Sequence, residues 1–191
     1  MEKRFDPFND RTSRDIRNTL SSALVSELSG DGRLRVQDVA RQWLLEAGDA
    51  AYQNYIRQCL VTYHSVLQAV QSAGLTERRI QAVVLWNAKL FFEVHELIET
   101  VWLGTHGDER KALKGLIQAA GVFVHRRRGH FKAANGLARR AMENLKHASP
   151  HLDFIEDLTP LLASLEDLSA PPPRLTPGSA IGDAACRTLG C

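Results

Sequence analysis

The chain has 191 residues, 44% of them hydrophobic and 24% charged, and its 24 Lys and Arg nearly balance 22 Asp and Glu to leave a formal net charge of +2. That is the balance of a soluble globular protein, and it argues against a histone-like or polybasic one. Three cysteines are too few for a disulfide scaffold, no window holds about 18 uncharged apolar residues, and the start Met1-Glu2-Lys3-Arg4-Phe5 lacks the apolar core of a secretory signal, so a cytoplasmic protein outside the membrane is expected.

From the N-terminus onward, almost every segment has helical period and helix punctuation, with no convincing strand alternation. The first helix is predicted from about Ser13 to Leu28, ending at Gly30-Asp31-Gly32. The second covers about Val36 to Ala47, with Gly48 as its stop. The third runs from Ala50 to about Ala73, where Tyr52, Ile56, Leu60, Tyr63 and Leu67 recur at spacings of three and four. Gly74 ends it, and Thr76 with Glu77 opens a fourth helix that continues to about Leu103. After the turn Gly104-Thr105-His106-Gly107, Asp108 caps a fifth helix that stops at Gly129. The sixth is predicted from Phe131 to His147. Ser149-Pro150 and Thr159-Pro160 are cap-plus-proline signals for two short helices, about 151–158 and 160–168. Four of the seven prolines lie beyond Ala170, and 170–191 reads as a flexible tail. The expected fold is all-α. It is a compact multi-helix bundle with an N-terminal helical extension over 1–75, a helical core over 76–169 and the tail over 170–191.

The fourth and fifth helices carry the informative pattern. At about 100° per residue, Ile80, Val83, Val84, Phe91, Val94, Ile98, Val101 and Trp102 fall on one side of the fourth. Arg78, Lys89, Glu93 and Glu96 fall on the other. Asn87, His95 and Glu99 break the rule by lying on or beside the apolar face, and His95 and Glu99, one turn apart, can touch. The fifth helix is apolar nearly all round from Gly115 to Val124, so it should be buried on several sides. Gln118 must then find internal partners. Lys111, Gly115, Gln118, Val122 and His125 share a stripe, and Gly115 would let another backbone approach. The inference is that this stripe faces the Asn87–His95–Glu99 stripe.

His95-Glu-Leu-Ile-Glu99-Thr-Val-Trp102 has the form His, three residues, Glu, two residues, Trp. Asn87 precedes it, and Gly115-Leu-Ile-Gln118, His125 and the turn at Gly129 follow. With these residues the chain resembles the bacterial and archaeal "domain of unknown function 309" family over about 76–145. The resemblance implies an all-helical fold and a His/Glu motif suspected of metal binding or catalysis. It carries over no assigned activity.

Three readings of the motif stay open. His95 and Glu99 at i and i+4 can ligate one divalent metal ion such as Zn, Mn or Fe, with Gln118 and His125 as further partners and Phe91 and Trp102 as a dry wall. The same residues can line a small-ligand pocket without metal. Or His95 and Glu99, with Asn87 and Gln118, can form a buried polar network that only sets helix register. The string His95-Glu96-x-x-Glu99 invites comparison with the metalloprotease His-Glu-x-x-His. A Glu stands where the second His should be, and Glu96 is read as a solvated surface charge, so the match carries little weight. A different class of function comes from Arg126, Arg127, Arg128 and Lys132, a basic turn that could contact nucleic acid or a protein. The plainer reading of those cations is complementation of a helix C-terminus, and it is favoured. Self-association is open, and the partners are otherwise unspecified.

Overall fold

The computed structural model describes residues 4–146 and 149–178. Among these the protein is all-helical, with α1 (Arg11–Ser29), α2 (Val36–Glu46), α3 (Ala50–Ser72), α4 (Arg78–Asn87), α5 (Phe91–Trp102), α6 (Gly107–Arg127), α7 (Phe131–Leu145), a 3-10 turn at Ser149–His151, and α8 (Thr159–Glu166). The chain divides into two compact units, Met1–Gln71 and Ser72–Cys191. No described helix is long and apolar enough to cross a membrane.

In the first unit, Asp10 opens α1. Its carboxylate accepts from the Ser13 amide at 2.9 Å and the Ser13 hydroxyl at 2.6 Å, satisfying an amide that the helix leaves unbonded. The same oxygen accepts from the Tyr52 hydroxyl at 2.8 Å, which ties the start of α1 to α3. Phe5 stacks on Tyr55 with ring centroids 3.6 Å apart, so these tyrosines serve packing. Trp43 of α2 donates to Thr19 of α1 at 2.7 Å. Ile16, Leu20, Leu24, Ile56 and Tyr63 are fully buried and form the core of this unit.

In the second unit, the long fourth helix expected over 76–103 is two helices. Lys89 has a φ of 60°, in the left-handed region. Its amide bonds to the Trp86 carbonyl at 2.8 Å and the Leu90 amide to the Leu85 carbonyl at 3.0 Å. That is a Schellman ending, in which a left-handed residue lets two amides recapture the last carbonyls of a helix. The turn brings Phe91 back onto Trp86 at 5.1 Å and onto Phe123 of α6 at 5.1 Å, closing an aromatic cluster. An unbroken helix would carry Phe91 past Trp86, so packing decides the break, against the preference of lysine.

As expected for a helix apolar on most sides, α6 is buried widely, from Ala112 through Phe123. Its Gly115 meets α7. A Cβ there would lie 2.8 Å from Leu145 Cγ and 3.1 Å from Asn144 Cβ. The close approach read from Gly115 is therefore present, but its partner is α7.

The helix expected over 151–158 is replaced by the short 3-10 turn and an irregular stretch. The reason lies further along the chain. Residues 154–156 pair with 176–178 through an isolated antiparallel bridge, Ile155 to Pro177. The Glu156 amide donates to Thr176 at 3.0 Å and the Gly178 amide to Phe154 at 2.9 Å. This narrows the expectation of a tail from Ala170. Residues 170–178 form a strap held by side chains of the helical core, and Leu175 within it is only 2% exposed. Residues 179–191, including Cys186 and Cys191, lie outside the described residues.

Candidate functional site

Because α5 starts afresh at Phe91, its own phase decides which residues face in. Phe91, Val94, Leu97 and Ile98 are buried, as the apolar spacing requires. Glu93, expected on the outward face, is also buried, at 4% exposed. It lies one turn before Leu97 and shares that flank of the helix.

His95, Glu96 and Glu99 reach solvent beside one another. One ligand-capable atom from each lies within 4.8 Å of the others. His95 Nδ1 is 3.1 Å from Glu96 Oε1, so the imidazole meets the carboxylate of the adjacent Glu96. Phe92 flanks the imidazole at 6.2 Å between ring centroids. Glu96 thus faces the motif rather than bulk solvent alone. Glu96, expected on the outward face, lies there; it is His95 and Glu99, expected on or beside the apolar face, that the structure sets with it on the solvent side of α5.

The other candidate residues go to different places. Asn87 ends α4 and grips the strap: its Nδ2 donates to the Leu175 carbonyl at 2.8 Å, and the Leu175 amide donates to its Oδ1 at 2.9 Å. Trp86 beside it donates to the Pro173 carbonyl at 2.8 Å. Phe91 belongs to the aromatic cluster. Trp102 closes the α5–α6 turn with Arg110. The indole donates to the Arg110 carbonyl at 3.1 Å, and the guanidinium lies 3.6 Å over the ring while donating to the Trp102 carbonyl at 2.9 Å. Gln118 accepts from Asn144 of α7 at 2.8 Å. The stripe of Gly115 and Gln118 therefore faces α7, and the predicted opposition to the His95–Glu99 stripe does not form. His125 sits at the end of α6, 5.8 Å from the His130 ring. Burial, and secondarily the charge of His130, push its pKa below the usual imidazole range.

The basic turn also divides. Arg126 donates to the Ser169 carbonyl at 2.9 Å and to the Ala170 carbonyl, holding the start of the strap. Arg128 is half-buried, whereas Arg127 and Lys132 are exposed. Gly129, with φ of 76°, makes the left-handed turn between α6 and α7.

A family model described as "Domain of unknown function (DUF309)" matches residues 80–137. The matched segment, similar to that family, runs from α4 into α7 and contains His95, Glu96, Glu99, the Lys89 break and the basic turn. No curated protein and no solved structure matches the chain.

Proposed function

We propose that the second unit binds a divalent metal ion through His95, Glu96 and Glu99 on the solvent side of α5. The observation that carries this reading is the approach of one imidazole nitrogen and two carboxylates to within 4.8 Å of one another. A nitrogen with two oxygens suits Zn, Mn or Fe, whose bonds to such ligands are about 2.0–2.2 Å. Small side-chain rotations would draw the three donors onto one centre. A single helix has then given three ligands, and the remaining positions fall to water or a bound molecule. Such an open site is the type that can polarise a ligand or activate water. The proton and the metal compete for the same imidazole lone pair, so affinity should fall as the solution is acidified.

Calorimetric titration of the 191-residue chain with zinc and with manganese tests the reading. One ion per chain is expected, and His95→Ala, Glu96→Gln and Glu99→Gln should each weaken binding tenfold or more. Equal affinity in a variant carrying all three changes would overturn it. Glu96→Gln also separates this three-ligand site from one built on His95 and Glu99 alone.

A further inference from the structure

We propose that the outward face of α7, with the turn before it, binds single-stranded nucleic acid. The buried side of α7 is Ala134, Ala138, Ala141 and Leu145. Opposite it, Lys132, Arg139 and Lys146 are exposed and seven residues apart, which places them on one line at intervals of about 10 Å. Arg140 adjoins the line, and Arg127 extends it into the turn. Among the described residues, none of these five cations is paired with a carboxylate, and Glu143 is the one acid on that side of the helix.

Phe131, at the start of α7 and next to Lys132 in the chain, is 61% exposed. Most of this ring is left in water, in the stretch of chain between Arg127 and Lys132. A row of cations with a largely exposed ring beside its first member suits a strand whose phosphates follow the cations while a base stacks on the ring. A duplex hides the faces of its bases and would leave the ring uncovered. An acidic peptide would neutralise the cations but has no flat group for the ring. A membrane surface would call for an exposed apolar face, and that of α7 is turned inward. Ring and phosphate contacts do not distinguish RNA from DNA, so the ligand class is single-stranded nucleic acid of either kind.

Fluorescence anisotropy of labelled oligothymidylate and oligouridylate with the 191-residue chain tests this, over about 50–200 mM salt. Binding is expected, with log K falling against log salt at a slope of about −3, from about 0.7 per phosphate and roughly four contacts. Arg139→Glu with Arg140→Glu should weaken binding at least tenfold and reduce the slope by about 1.4. Phe131→Ala should weaken it about tenfold with the slope unchanged, since stacking involves no ion release. Reversing the exposed Arg41 and Arg57 of the first unit to Glu should change affinity by less than about twofold, against the general effect of charge expected if binding were unspecific. Absence of binding at low salt would overturn the proposal. So would equal affinity for duplex, equal competition by polyglutamate, indifference to Phe131→Ala, or an equal loss from the reversals in the first unit.

Discussion

The passage from α4 into α5 and the passage from α6 into α7 use the same backbone device with different residues. At the second, the Gly129 amide bonds to the Arg126 carbonyl at 2.9 Å and the His130 amide to the His125 carbonyl at 3.0 Å. At the first, the Lys89 and Leu90 amides make the equivalent bonds to Trp86 and Leu85. Glycine enters the left-handed region freely, whereas a residue with a Cβ meets a cost of about 1–2 kcal/mol there. The aromatic contacts among Trp86, Phe91 and Phe123 supply what offsets that cost at Lys89. Both junctions also support the strap, Asn87 from the end of α4 and Arg126 from the end of α6. The difference teaches that a helix ending can be dictated by what packs after it, with no mark in the residue that makes the turn.

The comparison can be broken most severely at Asn87. Asn87→Ala removes both bonds to Leu175 and leaves a buried amide and carbonyl without partners. A loss of about 2 kcal/mol is expected in chemical denaturation, together with faster proteolysis after Ala170. Unchanged stability and unchanged cleavage would mean that the strap is held elsewhere. Gly129→Ala should cost about 1 kcal/mol. A Cβ there meets nothing within 4 Å, so the loss would come from the backbone alone. Lys89→Gly should act in the opposite direction and stabilise by up to about 1 kcal/mol, read as a higher denaturation midpoint. If it destabilises, the Lys89 side chain contributes more than its backbone costs.

The smallest effect concerns pH. The pKa of His125 is lowered from 6.5 by burial first and by His130 second. The folded state therefore holds fewer protons than the unfolded one near that pH, so stability rises with pH there. The contribution is fully present above about pH 6.5 and is lost as pH falls through the lowered folded value. His125→Gln should flatten the stability profile below pH 6.5 in thermal melts. An unaltered profile would assign that slope to other groups.

Much of the fold was legible because it rests on period and glycine. The stops at Gly30, Gly74 and Gly129, and the burial of α6 on several sides, follow from local rules that the structure obeys. The family resemblance held over residues 80–137 of the 76–145 expected. Other features depend on partners distant in the chain. Lys89 carries no sign of a left-handed turn, so a single helix read through 76–103 put Asn87 on the stripe of His95, and Glu93, expected on the outward face, is buried. Gly115 announced a close approach but could not say whether α5 or α7 made it. The strap lacks period and is rich in proline, which reads as a free tail. Its proline-imposed extended backbone leaves carbonyls for Trp86 and Arg126 to capture, and those donors lie more than forty residues away.

The central claim is that His95, Glu96 and Glu99 gather a metal ion on α5. Paramagnetic broadening of backbone amide signals by trace manganese tests it most directly, because it locates the ion along the chain. The account predicts that amides around residues 92–103 broaden first in the wild-type protein, and that His95→Ala with Glu96→Gln abolishes this. Broadening centred instead on the carboxylates Asp153, Glu156, Asp157, Glu166 and Asp167, or unchanged by those two substitutions, would contradict it.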